Sequence, residues 1–316
     1  MAGIVLLTSL DAAAEERWCG LLQDALPEET IVAGARFAPT GVAAGDVDVA
    51  IVANPQPVAL APFTNLRFVQ SLWAGVEKLV GLPTLRRDVP LARLVDPAMS
   101  RAMAEAVTAH VLALHRDHAR FARGQRDRVW SKDPQKLAHQ RTVGFLGLGE
   151  LAGASIELLT PLGFDLRGWS RSPKTIAGVA TFHGDDGLAT MLGEVEILVN
   201  LLPLTPTTER MLGRPLFQRL PRGAMVVNVA RGAHVVDAEL LAALDEGQLA
   251  EAVLDVFEVE PLPTDHPFWA HPRVQLFPHV AAQTDPVTAS RIAAANVRAF
   301  RAGRPVANVV DRSRGY

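Results

Sequence analysis

The sequence predicts an α/β protein built from two domains, each with a doubly wound parallel sheet. Three observations support this fold class: a length of 316 residues, two series of short apolar runs that alternate with helical patterns, and a long amphipathic helix between them. A chain of this length corresponds to about two domains, at roughly 100–200 residues each. Alternation of strands with helices is typical of parallel sheets.

The first series supplies five candidate strands and one clear helix. The strands are GIVLLTS, TIVAGARF, VDVAIVA, LRFVQSLW and LARLV, and the helix is EERWCGLLQDAL. From Met99 onward, apolar residues at helical spacing predict a single long amphipathic helix, which Gly124 and the polar residues after it end. We therefore place a domain boundary near residue 98.

The second series supplies six candidate strands, as a doubly wound sheet requires. They span residues 142–147, 165–170, 196–202, 224–230, 252–257 and 274–277. At the end of the chain, Thr284 is predicted to cap a helix that has Pro286 in its first turn and stops at Gly303. We expect this last helix to return to the first domain, which would then consist of residues 1–98 and 283–316, with residues 99–282 as the second domain.

Composition excludes several classes of function. The 31 basic and 34 acidic residues give a formal charge of −3, so no overall field attracts nucleic acid or anionic lipid. The single cysteine, Cys19, excludes an internal disulfide and a cysteine zinc cluster. The N-terminus has the pattern of a first strand rather than a signal peptide, and no run approaches the roughly 20 apolar residues of a membrane span. We expect a cytoplasmic protein with no nucleic-acid or membrane partner.

The stretch TVGFLGLGELA has the pattern of a dinucleotide-binding loop. Gly147, Gly149 and Ala152 form GxGxxA between an apolar strand and a helix. The first glycine permits a tight turn, the second lets the backbone approach a pyrophosphate, and the small third residue lets helix and strand pack closely. Exposed amides at the helix start would hold the phosphate. A plain glycine turn is the structural alternative.

The end of the next strand indicates which dinucleotide is bound. Ser170, 23 positions after Gly147, stands where an acidic residue would bind the ribose hydroxyls and repel a 2′-phosphate. Arg171 and Lys174 supply positive charge nearby. We predict NADP(H) as the preferred cofactor. NAD(H) remains possible if these two cations only face solvent.

Three later residues are candidates for catalysis: Arg231, Glu260 and His279 follow three successive predicted strands. Ligands of open α/β sheets bind at the carboxyl ends of strands. An arginine there can hold a carboxylate by two parallel hydrogen bonds. A carboxylate beside a histidine favours its protonated form, which can act as a general acid. Taken singly, each residue also has a structural explanation as a surface or loop polar group.

Order and spacing favour the catalytic interpretation. NVARG (228–232), DVFEVEPLP (255–263) and FPHVAA (277–282), together with SLWAGVEKL (71–79), resemble the D-isomer-specific 2-hydroxyacid dehydrogenase family over nearly the whole chain. WSRSPK, LLPLTPTT and ARGAHVVD bring the chain close to its glyoxylate/hydroxypyruvate reductase A subgroup. Ala152 and the pair Ala281-Ala282 depart from the glycines that many members have at these positions, but all three are small.

The resemblance implies a fold, an activity and a set of site residues. It implies a Rossmann-type cofactor domain and a flavodoxin-like substrate domain, in a homodimer built largely through the cofactor domain. It implies NADPH-dependent reduction of short 2-oxo acids to D-2-hydroxy acids, with Arg231 binding substrate, Glu260 pairing with His279, and His279 transferring the proton. Substrate contacts are expected at Trp73, Ala74, Gly75, Val76 and Arg231. Cofactor contacts are expected at Gly147, Gly149, Glu150, Leu151, Ser170, Arg171, Ser172, Lys174, Leu202, Pro203, Thr208, Val229, Ala230, Asp255, His279 and Ala281.

Other functions fit the sequence less well. His266, His271 and His279 are close in sequence, but they lack the ligand spacing of a metal site, so we predict no metal. His110, His115 and His118 lie on the long helix, where we expect them to pack between domains. A corepressor-like protein that binds dinucleotide without significant turnover remains an alternative, because fold alone does not decide function. So does an NAD-linked dehydrogenase with a different substrate range.

Overall fold

The computed structural model describes residues 3–34 and 43–315, which divide into two units. Unit 1 consists of Met1–Met99 and Thr284–Tyr316, and unit 2 of Ser100–Gln283. The strands are β1 Gly3–Thr8, β2 Ile31–Ala33, β3 Val47–Ala53, β4 Phe68–Ser71, β5 Leu91–Ala92, β6 Thr142–Leu146, β7 Asp165–Ser170, β8 Ala180–His183, β9 Ile197–Asn200, β10 Ala224–Asn228, β11 Leu249–Leu254 and β12 Val274–Leu276. The α-helices are α1 Ala12–Ala25, α2 Glu77–Val80, α3 Pro97–His115, α4 His118–Asp127, α5 Glu150–Leu159, α6 Gly184–Leu192, α7 Arg214–Phe217, α8 Asp237–Asp245 and α9 Pro286–Arg301.

Unit 1 is a five-stranded parallel sheet in the order β2-β1-β3-β4-β5, which is the flavodoxin-like order. All seven residues of β3 are buried, as expected for a central strand covered on both faces. The predicted strand TIVAGARF is observed only over Ile31–Ala33, and its residues 35–37 lie outside the described part of the chain.

Helix α9 belongs to unit 1, where buried polar contacts tie it to the sheet. Asn296 donates from Nδ2 to Oε1 of Gln70 at 2.8 Å, and both side chains are buried. Arg301 donates to Glu29 at 2.7 Å and to Asp48 at 2.5 Å. These carboxylates pair with an arginine that is only partly exposed. The end of the chain therefore packs with its beginning.

Unit 2 is a seven-stranded parallel sheet in the order β12-β11-β10-β9-β6-β7-β8. Numbered from its own first strand, the order is 3-2-1-4-5-6 with one further strand, which is the doubly wound dinucleotide-binding topology. Alternate residues face opposite sides. Leu198 and Val226 belong to one apolar cluster, and Val199 and Val227 to the other. The sheet thus has a buried core on each face.

The predicted single long helix is wrong: the structure has two helices, α3 and α4, separated at Arg116 and Asp117. Asp117 takes a left-handed conformation with φ of 53°, which Asp tolerates better than most residues. Its carboxylate accepts a hydrogen bond from Gln135 at 3.0 Å and pairs with Arg120 at 3.3 Å. These contacts stabilise the break. Gly124 lies inside α4 rather than at its end.

Three further boundaries differ from the sequence prediction. The edge strand β8 was not predicted, because its half-exposed residues form no apolar run. The strand expected at 252–257 lies at Leu249–Leu254, so Asp255 follows the strand. Asp285, not Thr284, caps α9: its carboxylate accepts from the amide of Val287 at 2.8 Å. The cap is the residue directly before a proline in the first helical position, as is common.

Candidate active site

The predicted phosphate-binding loop connects β6 to the start of α5. Gly147 has φ of 92°, and an added Cβ would lie 3.0 Å from the carbonyl oxygen of Leu201, so glycine is required there. Gly149 is the N-cap of α5 and carries no side-chain cap. Glu150 is exposed and Leu151 half-buried in the first turn. The amides of this turn can therefore receive an anion, as helix N-termini do.

The segment after β7 carries the residues predicted to recognise the adenosine ribose. Ser170 is buried, and its hydroxyl donates to the carbonyl oxygen of Ser172 at 2.8 Å. Arg171, Ser172 and Lys174 are exposed. The ammonium of Lys174 donates to the carbonyl oxygen of Leu148 at 2.6 Å, so it links this segment to the phosphate-binding loop. The structure places no carboxylate at the end of β7, where Ser170 stands.

Further predicted cofactor contacts lie on the loops after β9 and β10. Leu202, Thr208, Val229 and Ala230 are buried, and Pro203 is half-buried. The Thr208 hydroxyl donates to the carbonyl oxygen of Pro203 at 2.7 Å, which closes the first loop on itself. Both loops leave the carboxyl ends of adjacent strands, where ligands of such sheets bind.

Sequence reasoning did not single out three buried polar side chains beside these loops. Asn200 ends β9, Asn228 ends β10, and His234 lies in a short 3₁₀ helix, Gly232–His234, after the second loop. All three are completely buried. Asn200 contacts both of the others at 3.0 Å. The available signal was a polar residue at the end of each of two neighbouring apolar strands.

Two of the three predicted catalytic residues are in direct contact. Nδ1 of His279 lies 2.7 Å from Oε2 of Glu260, while the other carboxylate oxygen accepts from the amide of Phe257 at 2.9 Å. The His279 side chain is 51% exposed, and its backbone has φ of 55°. Arg231, after β10, donates from its guanidinium to the carbonyl oxygen of Ala230 at 2.7 Å. In the contact between His279 and Glu260, Nε2 of the imidazole lies on the side away from the carboxylate.

A buried carboxylate fixes the segment next to His279. Asp255 is 1% exposed and accepts from the amides of Val280 and Ala281 at 2.8 and 3.0 Å. Burial raises the pKa of Asp255, and the two amide hydrogen bonds oppose this shift.

His110, expected to pack between domains, lies against a residue of unit 2. Burial lowers the pKa of His110, and its ring packs against Phe277 with centroids 4.6 Å apart. The packing of His110 therefore occurs within unit 2.

The predicted substrate residues of unit 1 form a turn between β4 and α2. Trp73, Ala74 and Gly75 are half-buried and Val76 is buried. The Trp73 ring packs edge-on against Trp18, with centroids 6.0 Å apart. Within residues 3–34 and 43–315, the amides of Gly75 and Val76 have no hydrogen-bond acceptor. Such amides can bind an anion.

Histidines outside the proposed site pair with single acids within the described residues. Within these residues, no group of three histidine, cysteine, aspartate or glutamate side chains could hold a metal ion. His266 and His271 instead pair with separate acids, Asp237 and Asp245, each at 3.3 Å. The helices of the described segments are also all too short or too polar to cross a membrane.

Comparison with known proteins identifies the family. Residues 108–281 match the model of the D-isomer specific 2-hydroxyacid dehydrogenase, NAD binding domain. The chain is 40% identical to glyoxylate/hydroxypyruvate reductase A of Yersinia enterocolitica over 309 residues, which cover 95% of this chain and 96% of that protein. This chain belongs to the D-isomer-specific 2-hydroxyacid dehydrogenase family. Membership confirms the resemblance that the sequence motifs indicated.

Solved structures of D-isomer-specific 2-hydroxyacid dehydrogenases confirm the fold class. A family member from Xanthobacter autotrophicus, in complex with NADPH and MES, is 42% identical, with a TM-score of 0.92 over 100% of this chain and 99% of that one. An NADPH-dependent glyoxylate/hydroxypyruvate reductase from Sinorhizobium meliloti, in complex with NADP and sulfate, is 33% identical, with a TM-score of 0.92 over the whole of both chains. The sequence identities of 42% and 33% to these two structures agree with membership of the family.

Proposed function

We propose that this chain is an NADPH-dependent reductase of short 2-oxo acids, glyoxylate and hydroxypyruvate among them, which forms the D-2-hydroxy acid. The observation that carries the proposal is the contact of 2.7 Å between His279 and Glu260, in a family whose relatives are named for this reduction. A histidine held by a carboxylate at one ring nitrogen can donate a proton from the other.

The residues of unit 2 fit the cofactor. Gly147 and Gly149 leave room for a pyrophosphate at the first turn of α5, where backbone amides favour an anion. Ser170 replaces the acid that would repel a 2′-phosphate, and Arg171 and Lys174 supply cations beside it. NADPH, when bound, supplies the hydride. Unit 2 is therefore the proposed cofactor domain, and unit 1 the proposed substrate domain.

The remaining chemistry belongs to the side chains. In unit 2, Arg231 binds the substrate carboxylate and polarises the ketone. In unit 1, the amides of Gly75 and Val76 are the proposed anion-binding groups. His279, protonated and paired with Glu260, donates its Nε2 proton to the oxygen that becomes the hydroxyl. Glu260 holds the imidazole in one orientation, because its second oxygen is fixed by the amide of Phe257. The protein thus supplies position and charge.

The test of this chemistry is NADPH consumption with a panel of 2-oxo acids. We expect His279→Ala to lower kcat by at least about 100-fold, the usual contribution of a general acid. NADPH binding, measured by fluorescence, should change little. His271→Ala is the matched control, because His271 also pairs with an acid, Asp245. Equal activity of the His279 variant and wild type would remove His279 from the mechanism.

The cofactor preference has a separate test. Ser170→Asp should shift the ratio of kcat/KM for NADPH over NADH by at least about tenfold toward NADH, because a carboxylate repels the 2′-phosphate. Ser170→Ala removes the hydroxyl without adding charge and should keep the preference for NADPH. If Ser170→Asp keeps it as well, the charge argument is wrong. A wild-type chain that binds NADPH but reduces no 2-oxo acid would favour the corepressor-like alternative.

The proposal also includes a cytoplasmic homodimer that associates mainly through unit 2. It rests on the family resemblance. Sedimentation of the purified protein at micromolar concentration tests the oligomeric state, and a monomer at that concentration would contradict the proposed homodimer.

A further inference from the structure

The buried side chains of Asn200, Asn228 and His234 form one connected hydrogen-bonded chain in unit 2. Nδ2 of Asn200 donates to Oδ1 of Asn228 at 3.0 Å and lies 3.0 Å from Nδ1 of His234. Asn200 and Asn228 are register partners on adjacent strands β9 and β10. The hydrogen bonds between these side chains therefore link the end of β9 to the end of β10 and to the 3₁₀ helix Gly232–His234. Such networks are rigid when every member is satisfied.

Backbone groups determine how each amide of this chain points. The amide of Leu202 donates to Oδ1 of Asn200 at 3.2 Å, so that oxygen must face the loop and Nδ2 must face His234. Nδ1 of His234 is therefore an acceptor. Nε2 lies 3.3 Å from the carbonyl oxygen of Pro203, which can only accept, so Nε2 carries the proton. His234 is thus the neutral, Nε2-protonated tautomer.

The other end of the chain reaches the predicted substrate arginine. Nδ2 of Asn228 donates to the carbonyl oxygen of Arg231 at 2.9 Å. Its Oδ1 accepts from the amide of Ala230 at 3.3 Å, which fixes the orientation of this amide as well. The two asparagines and His234 consequently connect two segments. They bind the backbone of Leu202 and Pro203 on one side and the carbonyl oxygen of Arg231 on the other.

The imidazole of His234 is not needed to hold its own backbone. The carbonyl oxygen of His234 accepts from the amide of Leu212 at 2.8 Å, and that of Ala233 accepts from Arg210 at 2.8 Å. These bonds fix the 3₁₀ helix without the ring. Two contacts of the ring lie on the β9 side: Nδ1 with Asn200 and Nε2 with the carbonyl oxygen of Pro203. These two contacts therefore concern the loops rather than the 3₁₀ helix.

We propose that His234 is a positioning residue, which acts through Asn200 and Asn228 to hold the Arg231 loop in the arrangement that binds the 2-oxo acid. The inference rests on the proposed function, in which Arg231 binds the substrate carboxylate. A positioning residue of this kind acts through its neighbours and touches neither substrate nor cofactor. Without the acceptor nitrogen of His234, Nδ2 of Asn200 keeps only its bond to Asn228, and the two asparagines that reach the carbonyl oxygen of Arg231 are held less rigidly.

The experiment compares His234→Leu with His234→Gln under saturating NADPH. Leucine fills the space without polar atoms, whereas glutamine can accept from Asn200 and donate to Pro203. We expect the leucine variant to raise KM for the 2-oxo acid at least about tenfold, and the glutamine variant to restore most of this loss. If the leucine variant fails to fold, His234→Asn replaces it, because asparagine is too short to reach Pro203, and the same rise is expected.

A structural control separates positioning from loss of stability. Phe217→Leu removes volume from a fully buried site on α7, which contributes no residue to the loops. At an equal fall in thermal midpoint, Phe217→Leu should leave KM unchanged. The inference is overturned if Phe217→Leu raises KM as much as His234→Leu, if His234→Leu keeps the wild-type KM, or if glutamine is no better than leucine. A wild-type chain without turnover would instead overturn the proposed function, and this inference with it.

Discussion

Replacement of Gly232 by alanine should disable the site through a contact between two backbones. Gly232 follows Arg231 directly and is buried. A Cβ at this position would lie 1.8 Å from the carbonyl carbon of Phe257 and 2.2 Å from the amide nitrogen of Glu258. No flexible side chain is available to yield. The loop that carries Arg231 and the loop that carries Glu260 must therefore separate.

The size of the effect follows from the distance. Two carbon atoms pack at roughly 3.5–4.0 Å, so the backbones must move apart by about 1.5 Å or more. Overpacking of this kind typically costs about 1–3 kcal/mol of unfolding free energy. A misplacement of about 1 Å can lower catalysis about 100-fold. We therefore expect Gly232→Ala to lower kcat/KM for the 2-oxo acid by about two orders of magnitude.

The assay is NADPH consumption by the purified variant, together with its thermal midpoint and its affinity for NADPH. Gly20→Ala is the matched control: Gly20 lies in α1, and apart from its chain neighbours and the backbone of its own helix, no heavy atom of the described residues lies within 4 Å of the added Cβ. Alanine there should leave activity unchanged and stabilise the helix by up to about 1 kcal/mol. A folded Gly232→Ala with wild-type kcat/KM would refute the argument that this contact positions the two loops.

Two further predictions concern stability. Asp285→Ala should lower the free energy of unfolding by about 0.5–2 kcal/mol, because the carboxylate of Asp285 caps the amide of Val287. Thr284→Ala is the control and should change it by less than about 0.5 kcal/mol. Equal effects of the two substitutions in urea denaturation would contradict the assigned cap. Burial lowers the pKa of His115, so the unfolded chain binds more protons below about pH 6.5 and stability is lost as pH falls through that range. His115→Phe should make this acid loss of thermal midpoint shallower, whereas Phe164→Leu, which alters the same ring contact, should lower the midpoint equally at all pH values.

The strands could be predicted because their signal is local. The segments that became β6, β9 and β10 are largely continuous apolar runs, and such runs need no knowledge of the rest of the fold. The edge strand β8 has no such run, since only one of its sides is covered by a neighbour. The end of α3 depends on contacts that Asp117 makes with Gln135, eighteen residues away, which no local pattern reveals.

Some features of the candidate site could be predicted from the sequence, and others could not. The family resemblance predicted that Glu260 and His279 would pair, and the structure brings their side chains to 2.7 Å. The resemblance says nothing about His234, because its significance depends on which atoms surround it. A histidine in a motif becomes a buried, neutral donor only when Asn200 and Pro203 are known to face its two nitrogens. Its proposed role could therefore be inferred only from the structure.

The loops at the carboxyl edge of the unit 2 sheet are joined in series. In the order β6-β9-β10-β11-β12, each pair of neighbouring strands has a link at or after the strand ends, made either by a close backbone contact at a glycine or by a buried polar side chain. The links are Gly147 against Leu201, Asn200 with Asn228, Gly232 against Phe257, and Asp255 with Val280 and Ala281. Two of these links are backbone contacts and two are made by buried polar side chains, so each depends on the residue at its own position. We therefore expect a displacement at one loop to reach the next, so that substitutions at Gly232 and His234 impair more than the residues they contact.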